Sequence, residues 1–293
     1  MFVVGIDGGG TKTRVAVCAS DGTLLHRETL GAFNLSAIGE DGFRRRVGEI
    51  LTLCGDMRAC GALCVGGAGA SGAAMGEILR AELAAHGFAG KLLLCGDHEI
   101  ALAGAMQTPG CVLIAGTGSI CYGKNGENFR CGGGGHIIDD PGSGYALGRD
   151  ALAAALQTED GRLSENALHG AVMDTVGGSG IQGIFDFVYF SRRGKGDIAA
   201  LAPLVLRCAA QGDAVSLDIL RRGAAELARL VSAVMGKLGL ENGSPCALAG
   251  GLLAEDNVYR RAVCAALAPF CRPAAPEHDA LFGAVQLALA AIQ

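Results

Sequence analysis

The opening of the chain joins two apolar, strand-like runs through a loop that contains three consecutive glycines. Residues 2–6 form the first run, Asp7-Gly8-Gly9-Gly10-Thr11 follows, and residues 14–18 form the second run. Consecutive glycines let the backbone turn tightly and bring bare N–H groups close to an anion. The sequence therefore predicts a strand, a phosphate-sized turn and a second strand at the start of the chain.

The same arrangement returns further along the chain. The apolar run Cys111–Ala115 leads into Gly116-Thr117-Gly118-Ser119, and a second strand-like segment follows. Each copy is followed by a hairpin signal, Asp21-Gly22 after the first and Asn125-Gly126 after the second. Two phosphate-type hairpins predict two related half-domains that face one nucleotide.

Composition narrows the class of protein. The 293 residues are enough for two domains, and the 48 glycines with only 5% aromatic residues favour tightly turned α/β units. A net charge of -5 without a basic block argues against partners such as nucleic acid or a membrane surface. The 12 cysteines lack a CxxC pair, and no basic leader precedes Asp7, so we expect a reduced, cytoplasmic protein. Residues 107–110 interrupt the one long uncharged run, which excludes a membrane span there.

Strand and helix signals alternate after the opening hairpin, so the first half is expected to have the order βββαβαβα and the fold class α/β. We expect one domain over residues 1–112 and a second over 113–293, with a hinge near 108–116 and with the last helix packing back on the first domain. Further strands are expected at 61–66, 91–95, 245–249 and 270–272. Helices are expected at 40–54, 73–86, 99–106, 144–156, 164–176, 181–191, 198–210, 213–238, 257–268 and 279–292.

The glycine turns supply candidate nucleotide ligands. Asp7 offers a carboxylate that could hold Mg²⁺ through water, and Thr11 and Thr13 add hydroxyl donors. Thr117, Gly118 and Ser119 could donate to the β- and γ-phosphates together with Thr11. Lys12 could neutralise phosphate charge or be a solvated lysine. The alternative is that Asp7–Thr11 is only a structural hairpin turn.

Two further positions follow strands. Asp97 lies just past the strand expected at 91–95, where α/β sheets place ligand groups, so it could act as a general base or cap the next helix. Gly250-Gly251-Leu252 follows the buried run 245–249. Those glycines could let the backbone lie under an adenine ring, or they could form a simple turn.

The segment from Cys131 to Gly144 is the densest run of glycine and polar residues. One cysteine and one histidine, His136, cannot complete a zinc site. Four glycines beside Asp139 and Asp140 suit close backbone contact with a hydroxyl-rich ligand, whereas the alternative is a flexible loop that enters the following helix.

These motifs together resemble the N-acetylglucosamine kinase and BadF-type ATPase group of the actin-like, sugar-kinase superfamily. The resemblance is carried, in the family's order, by Gly5–Thr13, Asn34, Asp97, Ala115–Ser119, Cys131–Gly144, Gly250-Gly251 and Gly283. It implies two ribonuclease-H-like (actin-like ATPase) domains with mixed sheets flanked by helices and an active-site cleft between them. It also implies a homodimer.

The resemblance further implies roles for individual residues. Asp97 matches the family's catalytic base, and Asp7 would hold magnesium through water. Positions that match sugar-contacting segments are Asn34, Ser119, Gly133, Gly135, His136 and Asp140. Positions that match nucleotide-contacting segments are Gly9, Gly10, Thr11, Lys12, Thr117, Gly118, Gly250, Gly251 and Leu252. The chain departs from animal N-acetylglucosamine kinases, which have Trp where it has Gly134 and Glu where it has Pro141.

The expected activity is ATP- and Mg²⁺-dependent phosphorylation of N-acetylglucosamine, glucosamine or a related hexose, at O6. The alternative within the same superfamily is a BadF-type ATPase that activates a partner redox enzyme through an iron-sulfur cluster held by cysteines across a dimer. We do not match the cysteines of this chain to that arrangement.

Overall fold

The computed structural model describes residues 1–67, 72–177, 180–190 and 193–293. The chain forms two compact units, which are called unit 1 and unit 2. Unit 1 comprises Met1–Gln107 together with Pro276–Gln293, and unit 2 comprises Thr108–Ala275. The division falls before residue 108 rather than after residue 112, because the strand that begins at Gly110 pairs with strands of unit 2.

Unit 1 contains a mixed five-stranded sheet and the helices that connect its strands. Its elements are β1 (Phe2–Gly8), β2 (Lys12–Ala19), β3 (Leu24–Gly31), α1 (Leu35–Cys54), β4 (Cys60–Gly67), α2 (Ala73–Ala85), β5 (Lys91–Cys95) and α3 (Asp97–Ala105). The strand order is β3-β2-β1-β4-β5, with β1, β2 and β3 antiparallel and with β1, β4 and β5 parallel. The expected order βββαβαβα is confirmed. Helix α1 begins earlier than expected and contains a kink at Gly39, whose φ is 69°.

Unit 2 repeats this arrangement with additional helices. Its elements are β6 (Gly110–Ala115), β7 (Ser119–Asn125), β8 (Glu127–Gly132), α4 (Gly144–Glu159), α5 (Ala167–Val176), α6 (Gly180–Phe185), a π-helical turn (Asp186–Phe190), α7 (Lys195–Ala199), α8 (Ala202–Ala210), α9 (Ala214–Leu238), β9 (Pro245–Ala249), α10 (Val258–Leu267) and β10 (Arg272–Ala274). The order β8-β7-β6-β9-β10 reproduces β3-β2-β1-β4-β5 of unit 1. Two mixed sheets with matching strand orders confirm the expected fold class.

Three details of unit 2 differ from the sequence-based expectations. The helix expected at 198–210 is divided into α7 and α8, with Ala200 and Leu201 between them. The last short strand lies at Arg272–Ala274 rather than at 270–272. The helix expected at 181–191 is described as far as Phe190, and Ser191 lies outside the described residues.

The chain returns to unit 1 for its last helix, α11 (Ala280–Ile292). Because side chains alternate along a strand, β1 directs Val4 and Ile6 into one core and Val3 into another. Helix α11 contributes to the core that contains Val3, with buried residues Leu281, Ala284, Val285, Ala288 and Leu289. These contacts explain why residues after 275 belong to unit 1.

Helix α9 has one face in the core of unit 2. Within the described residues, no single helix is long and apolar enough to cross a membrane. The helical segments 195–210 and 214–238 meet that test only as a pair, which is bent by 118° at its break.

Candidate active site

In the first glycine turn one residue closes the turn by hydrogen bonds, and the next three residues are exposed. The Gly9 N–H donates to the Lys12 carbonyl at 2.9 Å, and the Gly9 carbonyl accepts from the Phe33 N–H at 3.0 Å. Gly9 therefore closes the turn. Gly10, Thr11 and Lys12 form an exposed tip between β1 and β2. This tip is the part of the expected phosphate loop that can meet a ligand.

Thr13 does not belong to that exposed tip, so its expected role as a hydroxyl donor to a ligand is wrong. Its side chain is fully buried, and Oγ1 donates to the Gly31 carbonyl at 2.6 Å. The hydroxyl instead ties β2 to β3, because a buried hydroxyl needs a partner inside the protein.

The second glycine turn is also closed by a backbone hydrogen bond and also has an exposed tip. The Gly116 N–H donates to the Gly118 carbonyl at 2.9 Å and closes the turn, which leaves Thr117 exposed between β6 and β7. Ser119 is buried, and its Oγ donates to the Pro141 carbonyl at 2.6 Å. Both turns thus present a threonine at the tip, Thr11 in unit 1 and Thr117 in unit 2.

Asp7, the expected magnesium ligand, lies at the end of β1 opposite Arg14 on β2. Its Oδ2 accepts hydrogen bonds from two nitrogens of Arg14, of which Nε lies at 3.1 Å. Arg14 also donates to Asp279 at 2.7 Å, and Asp279 caps α11. Partial burial lowers the pKa of Arg14, but its two acidic partners outweigh that effect and raise it. Arg14 was not expected as part of this site.

The surroundings of Asp7 suit a hydrated magnesium ion better than a protein-made metal cage. Arg14 engages one oxygen of the Asp7 carboxylate, Oδ2. Among the described residues, no group of three or more His, Cys, Asp and Glu side chains could hold a metal. Mg²⁺ is typically held by one or two carboxylates plus waters and substrate phosphates. A water-mediated contact through Asp7 fits that preference.

Asp97 occupies the corner between β5 and α3. The side chain is 54% exposed, and its Oδ1 accepts from the His98 backbone N–H at 3.0 Å and lies 3.3 Å from His98 Nδ1. The hydrogen bond from the imidazole, which outweighs the effect of burial, holds the pKa of the Asp97 carboxyl below its ordinary value. An ionised, accessible carboxylate at this edge of the sheet can accept a proton.

Asn34, also in unit 1, lies between β3 and α1. Its carbonyl accepts from the Ile38 N–H at 3.1 Å, so its backbone begins the helix that leads to the Gly39 kink. The side chain is partly exposed.

The loop expected to bind sugar is joined to the second glycine turn by backbone hydrogen bonds. Gly133 N–H donates to the Ser119 carbonyl at 2.9 Å, and Gly144 N–H donates to the Gly116 carbonyl at 2.7 Å. The hydroxyl of the buried Tyr259 on α10 also donates to the Gly142 carbonyl at 2.6 Å. The turn and the loop therefore form one connected assembly within unit 2.

Asp140 lies inside this assembly. It is 4% exposed and adopts a φ of 59°, which is uncommon for a residue other than glycine. Its Oδ1 accepts from the Ser119 backbone N–H at 3.2 Å, and a Cβ added to Gly118 would lie 2.8 Å from its Oδ2. Asp140 and Ser119, both expected to contact sugar, are buried here and hold the loop to the turn.

The exposed part of the loop borders a cavity. The His136 ring packs edge-on against Tyr145, with 4.7 Å between the ring centroids. Gly133 and Gly135 adopt φ angles of 74° and 93°, which the absence of a side chain permits. His136 lines a cavity of about 610 Å³ together with residues of α4 and α9, including Arg149 and Arg222.

The expected adenosine segment borders a second cavity of unit 2. Gly250 has a φ of 87°, and a Cβ there would overlap the carbonyl of Ala115 at the end of β6. Gly251 is exposed, with open space where a Cβ would be. A cavity of about 460 Å³ has the following lining residues: Gly116, Thr117, Gly144, Gly196, Ala199, Ala200, Ala202, Pro203, Gly251 and Leu252. Three of the expected nucleotide residues thus share one cavity with the start of α8.

The expected site residues are divided between the units. Unit 1 carries Asp7, the Gly9–Lys12 turn, Asn34 and Asp97, and unit 2 carries the remainder. Arg14, His98 and Tyr259 are part of these surroundings but were not expected from the sequence. Pairing of β1 with β2 could have identified Arg14, because it places Arg14 opposite Asp7. No sequence signal joins Tyr259 to Gly142.

Comparison with known proteins identifies similar sequences. Residues 4–288 match the BadF/BadG/BcrA/BcrD ATPase family. The chain is 36% identical over 249 residues to the N-acetylmuramic acid/N-acetylglucosamine kinase of Clostridium acetobutylicum, covering 82% of this chain and 81% of that protein. It is 29% identical over 286 residues to the N-acetyl-D-glucosamine kinase of Dictyostelium discoideum, covering 89% and 86%. It is 27% identical over 234 residues to the glucosamine kinase of Vibrio cholerae, covering 77% and 78%.

Solved structures show the same fold. A candidate N-acetylglucosamine kinase from Chromobacterium violaceum superposes with a TM-score of 0.78 at 31% identity, over 100% of this chain and 99% of that one. A glucokinase of the ROK family from Streptomyces griseus superposes with a TM-score of 0.59 at 15% identity, over 98% and 99%. The two-domain fold of actin-like sugar kinases is confirmed.

Proposed function

The chain belongs to the BadF/BadG/BcrA/BcrD ATPase family, and from that premise we propose that it is an ATP-dependent sugar kinase. The proposed reaction transfers the γ-phosphoryl group of ATP to a hydroxyl, O6, of N-acetylglucosamine, glucosamine or a related hexose. Three curated relatives with kinase names support a sugar kinase over an ATPase that activates a partner enzyme.

The observation that carries the proposal is the placement of Asp97. Its carboxylate is accessible at the end of β5, His98 donates to its Oδ1, and an aspartate carboxylate is ionised at neutral pH. In the proposed step Asp97 accepts the proton of the sugar hydroxyl as that oxygen bonds to the γ-phosphorus. The bond from that phosphorus to the bridging oxygen breaks, and ADP leaves with the electron pair.

The exposed tips of the two glycine turns are assigned to the phosphates. Gly10, Thr11 and Lys12 offer donors from unit 1, and Thr117 offers a hydroxyl from unit 2. Such positioned donors stabilise charge that develops during phosphoryl transfer. Magnesium, when bound, would supply charge neutralisation at the phosphates, with Asp7 as its protein contact through water.

The loop with Gly133, Gly135 and His136 is assigned to the sugar, and the cavity bordered by Gly251 and Leu252 to the adenosine of ATP. The loop has Gly134 where animal N-acetylglucosamine kinases have Trp, so the proposal does not include a strict preference for the N-acetyl group. The proposed substrate range therefore extends to other amino sugars, and the name of the Clostridium relative makes N-acetylmuramic acid a substrate to test.

Initial rates of ADP formation test this proposal. ATP and Mg²⁺ are supplied with N-acetylglucosamine, glucosamine, N-acetylmuramic acid, glucose, mannose or N-acetylmannosamine. We expect at least one amino sugar to accelerate ADP release, and we expect Asp97→Asn to lower that rate by about 10²–10⁴-fold while sugar binding stays measurable. Asp41→Asn, at an exposed position of α1, is the matched control and retains activity. Near-normal turnover in Asp97→Asn would show that another group is the base.

The same experiment addresses the rival activity. A partner-activating ATPase would release ADP slowly and at one rate whichever sugar is present. It would also bind iron after anaerobic purification, through cysteines near the surface. Nine of the 12 cysteines are buried, and only Cys95, Cys131 and Cys264 are partly exposed. We therefore expect a colourless protein, and an iron-sulfur absorption band would contradict the kinase assignment.

A further inference from the structure

The corner between β5 and α3 places a largely buried imidazole beside an exposed carboxylate. Asp97 exposes half of its side chain, whereas the His98 side chain beside it is only 13% exposed. His98 Nδ1 lies 3.3 Å from Asp97 Oδ1. A carboxylate only accepts hydrogen bonds, so Nδ1 is assigned as the donor.

Gly96 makes room for the His98 ring. The backbone of Gly96 has φ −67° and ψ 156°, an extended conformation that any residue adopts. A Cβ at this position would overlap Cε1 of His98 and would lie 2.7 Å from its Nδ1. Glycine at this position leaves room for the imidazole, whereas the backbone conformation itself does not call for glycine.

A second hydrogen bond restrains the backbone at the corner between β5 and α3. The Gly96 N–H donates to Glu99 Oε2 at 3.1 Å, which holds the first turn of α3 against the end of β5. Asp97 thus lies between two backbone restraints, and Oδ1 is occupied by the backbone N–H and ring of His98. Oδ2 is the oxygen that remains for a substrate hydroxyl.

We propose that His98 is a positioning residue for the reaction: its ring, seated over Gly96, orients the Asp97 carboxylate so that Oδ2 meets the hydroxyl of the substrate. This inference rests on the proposed role of Asp97 as the base. Small displacements of a catalytic group lower the rate of the chemical step strongly, so the predicted effect is on kcat.

Two substitutions of His98 separate hydrogen bonding from packing. His98→Phe keeps a ring over Gly96 but removes the donor, and we expect kcat to fall about ten-fold or more with the KM values for ATP and sugar nearly unchanged. His98→Asn places an amide donor near the position of Nδ1 and is expected to recover most of kcat. A purely structural His98 would change thermal stability in these variants and leave kcat of the folded enzyme intact, which would overturn the proposal.

A double-mutant cycle with Gly96→Ala tests whether the His98 ring packs over Gly96. Gly96→Ala alone is expected to lower kcat, because the new methyl group displaces the imidazole. In a His98→Ala background the same substitution should cause little further loss, since the ring is already absent. If Gly96→Ala lowered kcat by the same factor in both backgrounds, the proposed packing of the His98 ring over Gly96 would be contradicted.

Titration of the Asp97 carboxyl by ¹³C NMR supplies a readout that needs no turnover. In the wild-type protein its pKa is expected below the ordinary aspartate value, and in His98→Phe it should rise toward that ordinary value. An unchanged titration in an active enzyme would overturn the positioning role alone. A wild-type protein without sugar-dependent turnover would overturn the proposed function and the catalytic part of this inference with it, whatever the titration gave.

Discussion

Gly250 and Gly251 are adjacent in the chain but differ in their surroundings. Gly250 has a φ of 87°, and a Cβ there would lie 2.6 Å from the carbonyl carbon of Ala115 in addition to overlapping its oxygen. Gly251 is exposed beside the 460 Å³ cavity, with open space around it. The first glycine serves the packing of β9 against β6, and the second is available to a ligand.

This difference predicts opposite consequences for two alanine substitutions. Gly250→Ala is expected to lower the free energy of unfolding by about 2 kcal/mol or more, because it combines an unfavourable φ with a backbone clash. Gly251→Ala should leave that free energy nearly unchanged and raise the KM for ATP. Urea unfolding and ATP-dependent kinetics measure the two effects. An unchanged KM in Gly251→Ala would place the adenosine away from this segment.

Individual site residues show what a sequence pattern can predict. The glycine turns were recognisable, and Thr11 and Thr117 are exposed at their tips as expected. The expectation for Thr13 failed because strand alternation turns its hydroxyl toward Gly31. The burial of Asp140 depends on a positive φ and a partner 21 residues away, Ser119, which local patterns do not reveal.

At the scale of elements, helices α3 and α11 approach each other through glycines. A Cβ on Gly283 would overlap the Ile100 carbonyl and lie 2.5 Å from the Gly104 nitrogen. A Cβ on Gly104 would overlap the carbonyl of Asp279. Backbone-to-backbone contact of this kind allows α11 to lie against the sheet of unit 1 as well as against α3.

Gly283→Ala is therefore expected to destabilise the protein by about 3 kcal/mol, because the methyl group forces two backbones apart. The matched control is Gly236→Ala on α9, an exposed helical position with open space around the added methyl group. That substitution should raise the free energy of unfolding by about 0.5–1 kcal/mol, since alanine favours a helix over glycine. Thermal or urea unfolding of both variants distinguishes packing from helix propensity. Similar effects at the two positions would contradict the close crossing.

Local patterns predicted most elements but not all of their limits. Apolar periodicity and turn residues located the strands of both sheets and the long helix α9. The early start of α1 was missed, because its kinked first turn at Gly39 interrupts helical periodicity. The break between α7 and α8 was also missed, since Ala200 and Leu201 are ordinary helix formers.

At the scale of the whole molecule, the repeated hairpin predicted two related units, and the matching strand orders of the two sheets agree with it. The limits of the units depend on contacts between distant residues, such as those of α11 with β1. Composition shows no boundary of this kind, which explains why the division between Gln107 and Thr108 differs from the expected one.

In the proposed reaction the γ-phosphoryl group moves from ATP to an amino-sugar hydroxyl with Asp97 as the base. Proton-coupled ³¹P NMR of the reaction mixture follows that atom directly. We expect a new phosphomonoester signal coupled to the two protons on C6 of the sugar, which forms with the wild-type protein and is nearly absent with Asp97→Asn. ADP and inorganic phosphate without a new phosphomonoester, or an ester formed equally well by Asp97→Asn, would contradict this assignment.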